Sequence, residues 1–539
     1  MSCKRQSYAR RVNSIETLIA LVAVAIVLVR LADLVSIPYP IVLVLGGLAI
    51  GFLPGGPKLE LKPDVVFLVF LPPLLQSAGY WASPRELRAE LVPLTWLVLG
   101  LTLATMVVVA VVAHAIIPGI NWAEGFVLGA IVSPTDPVSA TATFERLGIS
   151  DRVKLLVEGE SMVNDAVALV AYKVAVATAV GGALTASTAA DDLVVGVVGG
   201  VAIGLAIAWL TGLALQRLDD PPLAILLTVF NAYAAFALAD GIGASGVLAA
   251  VTSGLYSGWR SHRIFDADLR LNAQAFWRVL VFALNAVLFV LIGLQFPGIL
   301  RTIGEQFAPD EIVGYGLLVS GVVIIVRLAW QFLPPSIGRL LPELGDTGPG
   351  ENWRERLLIG WSGMRGGISL AAALALPFTL DSGAAFGSRD LIIYLTVAVI
   401  FVTLVGQGLT LPFVINALGL RSHETWSPDE AVARLGAAQA ALDRIEEIQN
   451  TDPGIPENVL QRLREIYQAR FARCVAALSG EDGEVPIEDP LRGYRRVRVD
   501  LIEKERAALL EMRKDGRLKQ DTFRRIQGDL DLDEARLAS

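Results

Sequence analysis

The chain has 539 residues, of which 54% are hydrophobic and only 18% charged, a balance that departs from soluble domains and marks a membrane protein. Its formal charge of −8 is uneven, with long apolar runs before Leu420 and abundant Arg, Glu and Asp after it, so it describes no single surface and supports no nucleic-acid partner. The two cysteines, Cys3 and Cys474, lie in different regions, and the three histidines, His114, His262 and His423, are scattered, so neither a disulfide framework, a cysteine metal site nor HExxH is supported.

Lys4, Arg5, Arg10 and Arg11 precede the first apolar run, but Arg30 and Asp33 follow it where a cleaved leader would carry small residues, so the first helix is read as retained. Apolar segments of spanning character fall near 15–35, 40–54, 64–81, 91–118, 122–145, 153–180, 191–217, 221–240, 243–258, 273–297, 311–334, 354–378 and 389–419, about thirteen helices. One alternating set of loops holds Arg85, Arg88, Arg146, Arg152, Lys154, Arg217, Arg260, Arg263, Arg270, Arg339, Arg354 and Arg356. The other holds Lys58, Lys62, Arg301 and Arg389. Basic residues concentrate in cytoplasmic loops, so the summed loops put the N-terminus outside and the C-terminus in the cytoplasm, although the basic N-terminal tail argues the other way.

Within the apolar region three polar interruptions stand out. In Ser133-Pro134-Thr135-Asp136-Pro137 two prolines flank an acid in mid-span. Proline lacks the amide hydrogen and blocks the bond to the previous turn, so the helix should open and free carbonyls near Thr135. Such backbone survives at membrane depth only where protein or water satisfies it, and discontinuous helices are a transporter trait; a simple proline kink is the plain alternative. Next, Glu158-Gly159-Glu160-Ser161-Met162-Val163-Asn164-Asp165 sets three carboxylates into an apolar run. A charged group there costs about 2.5–3.5 kcal/mol on insertion scales and faces a bundle interior or a wet cavity. Ser161 and Asp165 share one helical face and Glu160 and Asn164 the adjoining one, an arrangement suited to a cation or a proton. The third is Gly360-Trp361-Ser362-Gly363-Met364-Arg365-Gly366-Gly367. Its glycines permit close backbone approach, and close packing of small residues explains them but not the arginine. Asp136 at half-helix N-termini and Arg365 at C-termini would neutralise partial charges at a crossing of broken helices.

Single charges complete the region. Arg327 lies well inside its span, with an intramembrane acid such as Glu160 as its natural partner and snorkelling as the alternative. Lys173, two turns beyond Asp165, is read as snorkelling, and Asp240 as a helix-end residue. Beyond Leu420, Ser427-Pro428-Asp429-Glu430 reads as a helix start, and helices are expected over 428–449, 456–478, 489–514 and 518–536. Leu460, Leu463, Ile466, Tyr467 and Phe471 approximate a 3.6-residue period, so 421–539 is expected to be a small cytosolic helical domain, a packing appendage or a regulatory one, beside a transporter domain over 1–420.

The Glu158–Val170 stretch and the two breaks, in this order and separation, resemble the monovalent cation:proton antiporters, the group that holds sodium/proton exchangers and NhaP-like bacterial antiporters. Leu71-Pro72-Pro73-Leu74-Leu75, Phe276-Trp277 with Asn285, Phe289 and Gly293, and Ser245-Gly246-Val247-Leu248-Ala249 extend the resemblance over residues 14 to about 420. It implies an all-α polytopic membrane protein with inverted repeats, two crossing interrupted helices, an elevator-like moving core and a homodimer in the lipid of the cell (inner) membrane. It also implies that Asp165 binds cation and proton in turn, that Ser161 and the Thr135 carbonyl help coordinate, and that Asn164 assists. Glu160 with Arg327 would form a structural ion pair, and Asp136 with Arg365 the charges of the crossing. The Asn-Asp pair goes with electroneutral exchange of one cation for one proton, Na+ before Li+, with no cofactor. Where many relatives carry an acid after Pro-Pro, this chain has Gln76 and Ser77, which puts ion preference in question.

Competing readings are a K+/H+ antiporter, a cation channel built on broken helices and carbonyl sites, and an intramembrane enzyme using Asp136 and Asp165 as an acid pair, for which no nucleophile motif or metal cluster speaks.

Overall fold

The computed structural model describes residues 21–35, 37–53, 63–82, 88, 94–181, 186–218, 220–265, 267–340, 352–420, 428–451, 455–479, 490–515 and 520–538. The basic N-terminal tail, Lys58, Lys62, Arg85 and Ser427 lie outside them. Two compact units form, Met1–Ser422 and His423–Ser539.

The first unit is helical. In chain order it holds α1 (21–35), α2 (Tyr39–Phe52), α3 (Pro63–Trp81), α4 (Trp96–Ile116), α5 (Trp122–Val132), α6 (Val138–Leu147), α7 (Asp151–Gly181), α8 (Ala186–Leu215), α9 (Pro221–Gly241), α10 (Gly246–Ile264), α11 (Ala267–Gly304), α12 (Pro309–Leu340), α13 (Trp353–Trp361), α14 (Gly367–Leu374) and α15 (Arg389–Leu418). Seven of these are long and apolar enough to cross a membrane, counting α4, α7, Val194–Leu215 of α8, α9, Leu269–Gly304 of α11, Pro309–Leu333 of α12 and α15; α2 and α5 are shorter apolar helices. Of the about thirteen expected spans, six do not fall among these seven: α2 is short, α5/α6 and α13/α14 are divided, and α1, α3 and α10 are not among the helices long and apolar enough within the described residues.

The helices pack as two groups. α2 lies along α11, α3 along α10, and α8, α9 and α10 pack on one another. Backbones meet closely here, since a Cβ at Gly47 would collide with the Val290 carbonyl and one at Gly293 with that of Val44, the approach that small residues permit between membrane helices. The other group is built of α4–α7 and α12–α15, in which a long helix, a broken one and a long one follow each other twice. α4 and α15 each contain one π-helical stretch, Trp96–Leu101 and Val402–Gln407; such stretches leave backbone groups out of the i→i+4 ladder and recur at functional sites.

In the second unit α16 (Pro428–Thr451) packs on α17 (Glu457–Ser479), and α18 (Pro490–Lys514) on α19 (Gln520–Ala538). Its apolar contacts are few, among them Ile445, Leu460, Ile502 and Phe523, all buried, whereas Leu463, expected on the packed face, is exposed. Charged side chains tie the second pair, Arg498 Nη2 to Asp533 Oδ2 at 2.9 Å and Arg506 to Asp531 and Glu534.

Candidate functional site

α5 starts on a capping box in which Asn121 accepts from the Glu124 amide and Glu124 from that of Asn121. It ends at Val132; the chain leaves the helix at Ser133–Pro137 and resumes at Val138. α13 stops at Trp361 and α14 resumes at Gly367. The two breaks touch, the Asp136 amide donating to the Met364 carbonyl at 2.8 Å. Two charges sit among the helix ends gathered there. The Asp136 carboxylate accepts from the Val138 amide, the first residue of α6, at 3.0 Å and lies against Gly366, the residue before α14. Arg365 Nε donates to the Val132 carbonyl, the last of α5, at 2.6 Å, and its Nη1 to Gly363 at 2.7 Å. Anions favour helix N-termini and cations C-termini, so each charge stands where the peptide dipoles favour it. A Cβ at Gly366 would collide with Asp136 Oδ2, so the crossing closes only on glycine.

α7 passes beside this crossing. Glu160 and Arg327, essentially inaccessible to solvent, meet in a two-pronged ion pair, Nη1 to Oε1 at 2.5 Å and Nη2 to Oε2 at 2.8 Å. Arg327 also donates to the carbonyls of Gly360 and Ile359, each at 3.1 Å. One guanidinium thus ties α7, α12 and the C-terminal end of α13, and a Cβ at Gly363 would enter its space.

Ser161, Asn164 and Asp165 follow on α7. Ser161 Oγ donates to the Thr135 carbonyl at 2.6 Å, which leaves the serine's own lone pairs free. The Thr135 hydroxyl lies 3.5 Å from Glu160 Oε1. Asn164 is engaged at both ends, Nδ2 with the Ser133 carbonyl at 3.4 Å and Oδ1 with the Thr102 hydroxyl at 2.6 Å. Asp165 differs: it is buried and its Oδ1 has no hydrogen-bond partner. It lines a cavity of about 700 Å³ together with Ser161, Thr135 and Asp136. Along α7 the lining runs from Asp151 and Lys154 past Glu158 to Asp165, which is buried. An unpaired carboxylate oxygen that lines a cavity together with hydroxyl and carbonyl oxygens can hold a small hard cation or a proton, but not both.

All eight residues singled out in the sequence therefore surround one crossing. Thr102 and Thr403 were not singled out, yet one holds Asn164 and the other accepts from the Arg365 amide at 3.1 Å; a lone threonine in an apolar run gives only a weak signal. Lys173 does not merely snorkel: it pairs with Asp240 at 2.9 Å, both side chains half exposed. Gln76 points away from the cavity into a neutral network, with its Nε2 on the Thr228 carbonyl at 2.9 Å and its Oε1 accepting from Asn231 at 3.0 Å. Ser77, the next residue, lines the cavity instead.

Residues 18–417 match the family described as sodium/hydrogen exchanger, transmembrane. An uncharacterised Na(+)/H(+) exchanger of Mycobacterium tuberculosis is 32% identical over 523 residues, 96% of this chain and 95% of that one. The low-affinity Na(+)/H(+) antiporter NhaS1 of Synechocystis is 31% identical over 498 residues, 90% and 89% of the two chains. A sodium, potassium, lithium and rubidium/H(+) antiporter of Bacillus subtilis is 29% identical over 522 residues, 94% and 76% of the two. The fold is similar to that of the sodium proton antiporter MjNhaP1 from Methanocaldococcus jannaschii at pH 8, with a TM-score of 0.60, 20% identity and coverage of 76% of this chain and 99% of that one.

Proposed function

Because the chain belongs to the sodium/hydrogen exchanger family, a family of multi-pass membrane antiporters, we propose that it exchanges Na+ for H+ at Asp165, with Li+ as a further candidate cation. The observation that carries this reading is the buried, unpartnered Asp165 Oδ1 of a residue lining a cavity beside two crossed helix breaks. The ionised carboxylate is a ligand for the cation, with Ser161 Oγ and the second lone pair of the Thr135 carbonyl completing its shell; the protonated form has no charge to hold a metal. One site that the two cannot occupy together enforces exchange. Asn164 is neutral and engaged by Thr102 and Ser133, so the site offers one titrating charge, which supports one cation for one proton. Arg365, Glu160 and Arg327, all buried, and the half-buried Asp136 are engaged with helix ends or with each other; their role in this reading is to hold the breaks open at fixed geometry.

The cavity reaches the Asp151 end of α7, whose neighbours Arg146, Arg152 and Lys154 belong to the more basic set of loops. By the positive-inside rule this end faces the cytoplasm, so the site is open inward. The C-terminal unit then lies in the cytoplasm, and the working form is a homodimer. A K+/H+ exchanger is the second reading, favoured by the broad cation range in the name of the Bacillus subtilis relative.

Proton flux in inside-out vesicles after separate additions of Na+, Li+ and K+ tests both. Saturable alkalinisation of the medium inside wild-type vesicles, absent from Asp165→Asn vesicles with equal folded protein, is the expected outcome, and the order of half-saturating concentrations names the cation. Flux retained by Asp165→Asn overturns the assignment.

A further inference from the structure

Asp165 is not alone in facing the cavity without a partner. Ser369, on the first turn of α14, is 2% exposed, its Oγ makes no hydrogen bond, and it lines the same cavity as Asp165, Ser161 and Thr135. A buried hydroxyl left unpaired has given up its water without a replacement. Thr143 and Thr396 avoid that loss by bonding a carbonyl four residues back, Thr143 to Ser139 at 3.0 Å and Thr396 to Ile392 at 2.8 Å, whereas Thr105, inside α4, is buried and unpaired with no break behind it. Ser369 has no such turn behind it, because the residues three and four before it are Gly366 and Arg365 of the break.

Ser139 supplies an internal comparison. It too sits on the first turn after a break, in α6, is buried and has an unpaired Oγ. Yet it does not line the cavity, whereas Ser369 does. The break explains why both hydroxyls lack a backbone acceptor; only one of them is placed to meet whatever enters the cavity.

We propose that Ser369 Oγ is a ligand of the transported cation, supplied by the second broken helix. This rests on the reading of Asp165 as the exchange site. The other candidate oxygens all come from the first repeat, Thr135 from the break after α5 and Ser161 and Asp165 from α7. α14 packs against α7, and Asp136 lies against Gly366 just before it, so Ser369 sits on a turn fixed at the crossing. The amides that begin α14 repel a cation; a hydroxyl is the group through which that turn can approach one. Both repeats then contribute to one coordination shell, and cation affinity becomes sensitive to the geometry of the crossing.

The test compares Ser369→Ala, Ser369→Thr and Ser139→Ala in the full chain, by cation-driven proton flux in vesicles and by protection of the purified protein against thermal unfolding as NaCl replaces choline chloride. Losing one ligand oxygen should raise the half-saturating Na+ concentration about tenfold in both assays for Ser369→Ala. Ser369→Thr should restore most of it, and Ser139→Ala should match the wild type. Should Ser369→Ala not fold, Ser369→Cys, which keeps the shape but offers a soft sulfur, carries the same expectation. A merely orphaned hydroxyl predicts the opposite pattern: Ser369→Ala unfolds at a higher temperature in choline chloride and keeps its Na+ midpoint within twofold. That result, with flux still dependent on Asp165, overturns the proposal and spares the exchanger reading. A wild type without cation-driven flux removes that reading, and the ligand role with it.

Discussion

Replacing Arg327 by alanine removes the cation from the most buried ion pair of the first unit. The guanidinium gives two bonds to Glu160 and one each to the carbonyls of Gly360 and Ile359, and both pair members are inaccessible to solvent. Breaking such a pair by deleting one partner destabilises by about 3–5 kcal/mol, because the surviving charge stays buried. Each carbonyl that loses its donor adds about 1 kcal/mol. The total, about 5 kcal/mol or more, is comparable with the whole stability margin of a typical domain, about 5–15 kcal/mol. Arg327→Ala should therefore fail mainly in yield of monodisperse protein after detergent extraction, with a lowered thermal midpoint in what remains. Glu160→Gln combined with Arg327→Met, which leaves no buried charge, should recover part of the loss in a double-mutant cycle. Normal yield and midpoint for Arg327→Ala, with only cation affinity altered, would refute the reasoning and move the pair into the transport chemistry.

Other expectations follow from the same site. If proton and cation compete for Asp165, as proposed, acidifying the cavity side should raise the half-saturating cation concentration, by about tenfold per pH unit once the protonated form dominates, while saturating cation restores the flux; a falling maximal flux at constant half-saturation argues against competition. Gly366→Ala drives a methyl into Asp136 and should lose about 1–3 kcal/mol or more together with transport, whereas Gly314→Ala, with open space around it on α12, should leave yield and flux unchanged. Thr102→Val strips Asn164 of a buried 2.6 Å bond and should lower the thermal midpoint by the equivalent of about 1–3 kcal/mol. Lys173→Ala breaks a half-exposed pair worth about 0.2–1 kcal/mol, so its midpoint should stay near the wild type.

Composition and local chemistry settle much of this protein. Apolar runs of spanning length can only be helices in lipid, because each backbone group must find its partner within its own segment, and the observed helices fall on those runs. The two breaks are equally legible, since paired prolines and clustered glycines act on the chain within a turn of themselves. The Glu160, Ser161, Asn164 and Asp165 set is visible because charge in an apolar helix is costly without a purpose.

What stays hidden is everything fixed by contacts between helices distant in the chain. Nothing local says that Thr102 holds Asn164 across 62 positions, that Lys173 finds Asp240 across 67, or that Gln76 turns into a network with Asn231 while Ser77 takes the cavity wall. Helical rotation separates adjacent residues by about 100°, so which of two neighbours faces the cavity is set by how the whole helix is turned against its partners. The same holds for Ser139 and Ser369, alike in sequence setting as hydroxyls just past a break. The amino-acid sequence by itself determined that the chain crosses a membrane as helices, where two of them break and which acid stands between the breaks; only the packing of those helices decided which oxygen atoms are left without partners and face the cavity, because an unpaired lone pair is a property of neighbours and not of a residue.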